Sequence, residues 1–376
     1  MIHNNNIPQG YKQTELGIIP EDWNIKSIGE FLSIGNGHDY KGKSFGNIPV
    51  YGTGGIITHI DDYLYDGQTI CIGRKGTIDK PIFHSGKIWT VDTLYYTYNF
   101  IDIEVKFIYY LLLTIDWMSL NEATGVPSLT SDRIKQIALA LPPIAEQRAI
   151  AEALSDVDEL IAALDKKITK KRLIKQAAMQ QLLTGKTRLP GFTDKWVEKK
   201  VKDVFRVTRG YVLATNKVVE RPDGYYKYPV FSSQTQNNGV MGYYSDYLFE
   251  DAITWTTDGA NAGEVNYRQG KFYCTNVCGV LISEEGYANE CVASIINMVA
   301  KSHVSYIGNP KLMNNVMADI EICIPPSIKE QQAIATILSD MDKEIADLEA
   351  QRDKYRLLKS GMMQKLLTGQ VRLKIE

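Results

Sequence analysis

Two stretches of this chain are copies of one another. The first runs from Glu146 to Leu189 and reads EQRAIAEALSDVDELIAALDKKITKKRLIKQAAMQQLLTGKTRL. The second runs from Glu330 to Leu373 and reads EQQAIATILSDMDKEIADLEAQRDKYRLLKSGMMQKLLTGQVRL. The offset is 184 residues without a gap, and 24 of the 44 positions are identical. An internal repeat of this length indicates that the whole chain has a two-fold internal architecture.

Both copies carry the pattern of a long helix. Their apolar residues recur at alternating steps of four and three, which is the spacing of a coiled-coil seam. A double proline precedes each copy and disfavours helix before it, and a Thr-Gly pair supplies the stop. We predict helix pairing through Ile150, Leu154, Val157, Ile161, Leu164 and Ile168 of the first copy, and through Ile334, Leu338, Met341, Ile345 and Leu348 of the second.

The connection between the copies favours an antiparallel pair. A helix of roughly 40 residues is about 60 Å long. The intervening segment of about 140 residues should fold into a domain about 35–40 Å across, with its two ends close together. Such a domain cannot bridge the full length of a helix, as a parallel pair would require. We therefore expect one globular domain at each end of an antiparallel pair.

The two globular segments also echo each other. Ile48-Pro49-Val50-Tyr51 resembles Tyr228-Pro229-Val230-Phe231, and Gly125-Val126-Pro127-Ser128-Leu129 resembles Gly308-Asn309-Pro310-Lys311-Leu312. The polar stretches between these framework positions differ. A shared scaffold with divergent polar loops is typical of recognition surfaces.

Short β-rich runs alternate with helical patterns in both segments. Thr69–Ile72 and Ile253–Trp255 are such runs, bounded by glycine and polar turns. Helices are predicted over Val105–Met118 and Glu290–Lys301. Both segments are therefore expected to be α+β domains.

This order of segments resembles the specificity subunit of a type I restriction-modification enzyme. The resemblance rests on the paired PPxxEQ-type starts, at 142–147 and 325–331, and on the paired Leu-Leu-Thr-Gly stops. The second start has one extra residue before its Glu-Gln. The resemblance implies an α+β fold with two pseudo-repeated α/β-mixed target recognition domains, held apart by two long antiparallel coiled-coil helices. The predicted divisions are 1–145 (first recognition domain), 146–186 (central spacer helix), 187–324 (second recognition domain) and 325–376 (C-terminal spacer helix).

The resemblance also implies a function. Each recognition domain would read one half of a bipartite site in double-stranded DNA. The helices would fix the spacing and dock two methyltransferase subunits, and restriction motor-nuclease subunits would join that core. The chain itself would have no catalytic residues and no cofactor, with AdoMet and ATP/Mg bound only by the partner subunits.

Composition allows this function without suggesting it. The formal net charge is −2, with 42 Lys and Arg against 44 Asp and Glu. A stand-alone DNA-binding protein usually has a basic balance, so we expect the isolated chain to bind DNA feebly. Five cysteines without a dense framework suggest a reducing cytoplasm. The polar start Met1–Asn6 does not resemble a signal peptide, and no apolar run approaches the ~20 residues that span a bilayer.

Two alternatives stay open. Gly37–Ser44 matches the phosphate-loop pattern GxxxxGKS, which binds nucleotide only between a strand and a helix. The following Phe45-Gly46-Asn47-Ile48-Pro49 is a poor helix, so a polar loop near DNA is the preferred interpretation. An orphan bipartite DNA-binding regulator would need the same two domains and no methyltransferase. No metal site is predicted, because Cys274 and Cys278 lack a second Cys/His pair at ligand spacing.

Candidate DNA contacts are taken from loops rich in hydrogen-bond donors. Arg and Lys pair with guanine, Asn and Gln with adenine, and Ser or Thr with either. Phosphate contacts should outnumber base contacts among them. The candidates in the first domain are His38, Tyr40, Lys41, Lys43, Thr53, His59, Arg74 and Lys75. Those in the second are Arg209, Tyr211, Asn216, Lys217, Ser233, Gln234, Gln236, Asn237, Asn238, Asn261 and Arg268.

Overall fold

The chain divides into two compact units. Unit 1 consists of residues 1–165 together with residues 350–376, and unit 2 consists of residues 166–349. The structure, a computed structural model, describes residues 7–233 and 236–373. Unit 1 is discontinuous in sequence, because a later stretch of chain returns to complete it.

Unit 1 begins with two short antiparallel ladders. Strand β1 (Tyr11–Thr14) pairs with β2 (Gly17–Pro20), and β3 (Asn24–Ser27) pairs with β10 (Ala138–Leu141). The second ladder brings the chain back to its starting side just before the first double proline. It therefore places the start of the first long helix next to the N-terminal strands.

The main sheet of unit 1 has six strands. In spatial order they are β4 (Ser33–Asn36), β9 (Leu94–Tyr98), β7 (Tyr65–Gly73), β8 (Ile82–Thr90), β5 (Phe45–Gly52) and β6 (Gly55–Ile60). Neighbouring strands are antiparallel, except that β5 and β8 are parallel. The run Ile70-Cys71-Ile72 in β7 is fully buried, as a strand covered on both faces requires.

Unit 2 repeats this sheet strand for strand. The order is β12 (Arg206–Arg209), β17 (Cys278–Ile282), β15 (Phe249–Thr256), β16 (Val265–Cys274), β13 (Tyr228–Phe231) and β14 (Val240–Tyr244). The one parallel pair, β13 with β16, is the counterpart of β5 with β8. A two-stranded ladder of β11 (Val197–Lys200) with β18 (Glu321–Ile324) matches β3 with β10.

Short helices pack against each sheet. Unit 1 has α1 (Ile28–Phe31), α2 (Val105–Leu112) and α3 (Ser131–Lys135), and unit 2 has α5 (Val201–Val204), α6 (Glu290–Ala300) and α7 (Asn314–Asp319). Asn289 starts α6 by accepting the Val292 amide at 3.1 Å, the usual N-cap arrangement. The prediction of helix over Glu290–Lys301 is confirmed to within one residue.

The predicted helix over Val105–Met118 was too long. Helix α2 ends at Leu112, and a separate 3₁₀ turn covers Trp117–Leu120. Asp116 caps that turn by accepting the Ser119 amide at 3.2 Å, and the Trp117 indole donates to the Leu112 carbonyl. The apolar pattern continues through this region because Trp117 of the turn is buried, so it does not reveal where the helix ends.

The two repeated stretches form helices of equal length, α4 (Ile144–Leu182) and α8 (Ile328–Leu366), each with 39 residues. Within unit 1, Asp158 pairs with Lys359 at 2.7 Å and Asp165 pairs with Arg352 at 3.4 Å. Within unit 2, Lys171 pairs with Glu344 at 2.6 Å, and Lys175 pairs with Asp342. As the residue number rises along α4 it falls along α8, so the helices run antiparallel in each unit, as predicted.

Each long helix starts from an anchored Glu-Gln pair. The Gln147 amide donates to the Pro142 carbonyl at 2.9 Å and accepts from the Glu104 amide at 3.0 Å. Gln331 repeats this by donating to the Pro325 carbonyl at 2.7 Å. The glutamine therefore holds the proline turn that starts the helix.

The glutamate of each pair accepts hydrogen bonds from an arginine that follows the opposite long helix in the sequence. In unit 1, Arg372 donates to both carboxylate oxygens of Glu146, at 2.6 and 2.8 Å. It also donates to Asp22 at 2.8 and 2.9 Å. These bonds hold the pKa of Asp22 below its usual value and raise that of Arg372. Gly369, with φ 71°, lies where a Cβ would meet the Pro20 ring at 2.5 Å, so only glycine fits this close turn.

The cores of both units include residues from both long helices. In unit 1, Ile150 and Leu154 of α4 pack with Leu366 and Leu367. In unit 2, Ile334 and Leu338 of α8 pack with Leu182 and Leu183. The Leu-Leu of each stop motif is thus a core element of the unit that contains the other helix start.

Most of the predicted helix-pairing residues are shielded from solvent. Those that are buried are Ile150, Leu154, Leu164, Ile168, Ile334, Leu338, Ile345 and Leu348. Val157, Ile161 and Met341 are half-buried. The α/β-mixed content and the repeat of the two domains are confirmed. The four predicted domain boundaries stay a prediction, since the two compact units divide both long helices.

Candidate nucleic-acid interface

Equivalent loops leave both sheets at the same topological position. The loop after β4 begins at Gly37, and the loop after β12 begins at Gly210. A Cβ on either glycine would lie 2.0 Å from a carbonyl oxygen, of Val91 and of Cys274 respectively. The next amides bind the ends of equivalent strands, since His38 N donates to Thr90 O at 2.9 Å and Tyr211 N to Cys274 O at 3.0 Å. The two units therefore present their divergent loops from one shared framework.

The loop Gly37–Ser44 is not a phosphate-binding loop of the nucleotide type. Ser44 is followed directly by strand β5, where the nucleotide-binding arrangement requires a helix. Lys43, the residue that would reach a phosphate, forms an ion pair with Asp62 at 2.6 Å and lies 5.0 Å above the Trp89 ring. The local structure thus gives no support to the nucleotide-binding alternative.

The other unit 1 candidates in this region differ in exposure. His38 and Lys41 are exposed, and Tyr40 is half-buried against the cluster of Val50, Ile60 and Trp89. The His38 carbonyl accepts the Trp89 indole N–H at 2.8 Å. The backbone of this loop is therefore fixed while its charged side chains face solvent.

Arg74 and Lys75 line a cleft of about 590 Å³ in unit 1. The Arg74 guanidinium lies 5.9 Å from the centre of the Tyr95 ring. Its backbone is held from two sides, because Arg74 N donates to Thr93 O at 2.8 Å and Arg74 O accepts from Leu129 N at 2.9 Å. Ser128 and Thr130 line the same cleft and were not among the candidates. The signal in the sequence is the repeated Gly-x-Pro-x-Leu motif, which contains Ser128 and is followed directly by Thr130.

The remaining unit 1 candidates are half-buried. Thr53 lies in the turn between β5 and β6, and its hydroxyl is 3.5 Å from the position of a Cβ on Gly76. The structure thus brings Thr53 close to the Arg74–Lys75 loop. His59 is on strand β6, opposite Pro49, and is not brought into that cluster by any described contact.

In unit 2 the candidates fall on four segments. Arg209 ends β12, Asn216 and Lys217 lie in a 3₁₀ turn, and all three are exposed. Tyr211 is 64% exposed. Asn261 is half-buried and its amide donates to the Ser233 carbonyl at 3.4 Å, which joins two of the predicted loops.

The segment from Gln234 to Asn238 is only partly described. Gln234 lies outside the described residues. Gln236 and Asn238 fall in a 3₁₀ turn that ends at Gly239, and Asn237 is exposed with φ 51°. Asn237 lines a cleft of about 470 Å³ together with Arg221. Arg221 was not a candidate, although the Arg-Pro-Asp-Gly turn that contains it is a polar, donor-bearing loop.

Arg268 occupies a different environment from the other candidates. Its guanidinium stacks 3.9 Å from the centre of the Phe231 ring, and its Nε donates to the Thr254 hydroxyl at 3.0 Å. Burial lowers its pKa. This geometry engages Arg268 with strands β13 and β15 inside the unit.

Neither a membrane-spanning helix nor a metal-binding cluster is found among the described residues. No helix among residues 7–233 and 236–373 is both long and apolar enough to cross a membrane. Over that same part of the chain, no cluster of three or more His, Cys, Asp or Glu side chains is placed to hold a metal ion.

Comparison with known proteins identifies the framework. The profile of the type I restriction modification DNA specificity domain matches residues 20–172 and again residues 193–355. A type I specificity subunit from Mycoplasma pneumoniae is 31% identical over 231 residues, covering 61% of this chain and 84% of that protein. The specificity subunit of a type I restriction enzyme from Methanocaldococcus jannaschii is 23% identical over 97% of both chains.

A solved structure shows the same fold over the full length. The S subunit of a type I restriction-modification system from M. genitalium superposes with a TM-score of 0.71 at 16% identity, covering 100% of this chain and 99% of that one. The two family matches coincide with the two repeats of sheet and long helix. The chain therefore belongs to the family of type I restriction-modification DNA specificity subunits.

Proposed function

We propose that this chain reads a bipartite DNA site, with one half-site contacted by each unit, and assembles with methyltransferase and restriction subunits that carry the chemistry. The observation that supports this most directly is the repetition of one six-stranded sheet with different loops. Identical strand order in both units provides two equivalent frames. Different donor-bearing side chains on those frames would read different base sequences.

The partner proposal is supported by exposed apolar residues on the long helices. Leu173 and Ile174 on α4 are 61% and 44% exposed, and their equivalents Leu357 and Leu358 on α8 are 75% and 50% exposed. Paired apolar residues on a solvated helix surface are typical of a protein interface. Their repetition 184 residues apart matches two copies of one partner, which are the two methyltransferase subunits of this proposal.

Within this proposal the chain is not an enzyme and binds no cofactor. AdoMet would be bound by the methyltransferase subunits, and ATP with Mg²⁺ by the restriction subunits. The two long helices act as an antiparallel coiled-coil spacer between the half-sites. The near-neutral charge is consistent with a subunit that depends on partners to grip the phosphate backbone.

Co-expression with the methyltransferase subunits tests the proposal. Genomic DNA from such a host should carry methylated adenines within one split sequence motif, and DNA from a host that lacks this chain should not. The proposal would be contradicted if this chain forms a complex with two methyltransferase subunits in the host and no methylated bipartite motif is found.

The orphan-regulator alternative predicts a different outcome. In that case this chain would bind a bipartite sequence alone and would not co-purify with methyltransferase subunits. Size-exclusion chromatography of the co-expressed proteins separates the two. A Leu173→Ser, Leu357→Ser double variant should lose co-purification, while Leu248→Ser, at an exposed leucine outside the helices, should retain it.

A further inference from the structure

A loop in unit 2 exposes two large apolar side chains next to the candidate reading loops. Ile307 is 94% exposed and Tyr306 is 71% exposed. They lie at the tip of residues 305–311, here named the tip loop. Scattered single apolar residues on a surface are ordinary. An adjacent aromatic and aliphatic pair this exposed is different, because removing both side chains from water on binding a partner would contribute a large favourable free energy.

The tip loop is rigidly held at its base. Ser305 and Lys311 exchange two backbone hydrogen bonds, both 2.9 Å. Val304 before the loop and Leu312 after it are buried, and the Leu312 carbonyl accepts the Trp255 indole N–H at 3.0 Å. The side chains at the tip therefore project from a fixed frame, so binding to a partner costs little ordering entropy.

The tip loop is joined to the candidate reading loops. Gly259 N donates to Pro310 O at 3.0 Å, and Lys311 Nζ lies 3.6 Å from the Asp258 carboxylate. Asn261, on the same 257–261 loop, bonds the Ser233 carbonyl. A continuous chain of contacts thus links the apolar tip to two of the predicted DNA-reading segments.

The surroundings of the tip are basic and polar. Lys301 and His303 precede the tip loop in an exposed 3₁₀ turn, and Lys311, the last residue of the loop, pairs with Asp258. Lys is depleted in protein–protein interfaces, whereas Lys near a wedge of apolar residues is the composition of proteins that insert side chains between base steps. The neighbouring charges favour DNA over a protein partner.

We infer that Tyr306 and Ile307 form a wedge that inserts against a base step of the duplex at the half-site read by unit 2. This inference rests on the proposed DNA-reading function and deepens it. Unit 2 then reads DNA partly through the ease with which one step unstacks, and sequence preference arises at positions that no side chain bonds.

Unit 1 has the same loop without the wedge. Glu122 N donates to Ser128 O at 3.0 Å and Gly76 N to Pro127 O at 2.8 Å, as in unit 2. The residues equivalent to Tyr306 and Ile307 are Ala123 and Thr124. Unit 1 should therefore leave its half-site more nearly straight, so that the two half-sites are deformed unequally.

The test exchanges the tip residues for those of unit 1. The double variant Tyr306→Ala, Ile307→Thr and the parent are each assembled with methyltransferase subunits. Their affinities are then measured for a duplex that contains the bipartite motif identified by methylation mapping. We expect about tenfold weaker binding, the scale set by burying one large aliphatic side chain. The salt dependence of binding should not change, because no charge is altered. 2-Aminopurine placed through the unit 2 half-site, except at the adenine that the methyltransferase flips out of the stack, should brighten with the parent at one step and stay dark with the variant.

The matched control is Leu248→Ser. Leu248 is also exposed, at 38%, but precedes strand β15, whereas the 257–261 loop follows that strand. It should bind DNA like the parent. Equal thermal melting of all variants establishes that folding is intact.

Three results would overturn the wedge. The first is a parent complex that binds its site without unstacking any step, and the second is a folded double variant with parental affinity. The third is a double variant that fails to join the methyltransferase subunits in the absence of DNA, which would make the tip a protein contact. Failure of the proposed function is separately visible, because the parent complex itself would then recognise no bipartite site.

Discussion

Arg188 donates to both carboxylate oxygens of Glu330, at 2.7 and 2.8 Å, and so repeats within unit 2 the pairing of Arg372 with Glu146. Each residue lies 184 positions from its counterpart. The Trp196 indole donates to Glu330 at 3.4 Å, as the Trp23 indole donates to Glu146 at 3.2 Å. Glu330 is only 1% exposed, so its charge depends on these partners.

Replacement of Glu330 by Ala should destabilise unit 2. The change removes the partner of a half-buried arginine and three hydrogen bonds, and breaking such a pair costs about 3 kcal/mol. Urea unfolding measures the loss. The matched control is Arg356→Gln, which breaks an exposed pair with Asp165 at 3.2 Å and should cost less than about 1 kcal/mol. Equal losses for the two variants would show that burial of the carboxylate is irrelevant.

The pair of Arg372 with Asp22 should give a small pH dependence. Because the folded pKa of Asp22 lies below the unfolded value of 3.8, the stabilisation is present above about pH 4 and is lost as pH falls through the folded pKa. The stability difference between the parent and Asp22→Asn should therefore be less than about 1 kcal/mol at neutral pH, given the exposure of the pair, and should shrink toward pH 3. A difference that grew on acidification would have the wrong sign.

Truncation along the helix seam should have unequal effects. Leu338→Ala should cost about 2–5 kcal/mol, because Leu338 is buried in the unit 2 core. Ile161→Ala should cost less, since Ile161 is half-buried. Ile161→Asp adds a carboxylate to the seam and should lose more stability than Ile161→Ala and weaken assembly with methyltransferase subunits. An Ile161→Asp protein that melts and assembles like the parent would place Ile161 outside the pairing surface.

Balanced changes in helix length should alter the spacer of the DNA site. Seven residues inserted after Lys166 of α4 and after Gln351 of α8 keep the heptad register and add about 10.5 Å, or about three base pairs at 3.4 Å each. Mapping of methylated adenines gives the new spacer. The same insertion in α4 alone breaks the register of the ion pairs and should abolish assembly. If the variant with both insertions is active and its spacer is unchanged, the length of the helices does not set the distance between the half-sites.

Exchange of one recognition domain should change one half of the site. If residues from about 15 to 140 are replaced by those of a related specificity subunit, we expect the half-site read by unit 1 to change and the other to persist. The readout is again the methylated motif. Alteration of both halves by a folded, assembling exchange would contradict independent reading.

The helices and their direction were predictable because a repeat and a connection length carry that information. The pairing of Glu146 with Arg372 was not, although both residues stand in repeated motifs. Which arginine meets which glutamate depends on how the antiparallel helices close, which is a tertiary property. The environment of Arg268 was missed for the same reason, since only the folded sheet brings Phe231 under its guanidinium. Ile307 could not be predicted from loops rich in hydrogen-bond donors, because an apolar tip has no donors.

The discontinuity of unit 1 has a consequence for synthesis on the ribosome. Leu366 and Leu367, which complete the core around Ile150 and Leu154, emerge only after all of unit 2 has been made. Unit 2 is continuous, so every residue of its core has been synthesised at a stage when unit 1 still lacks its last segment and leaves apolar surface uncovered. Closing such a long loop is slow and leaves the open state prone to aggregation. The nascent chain should therefore acquire protease resistance in unit 2 first, in the reverse of the order in which the two units begin to be translated.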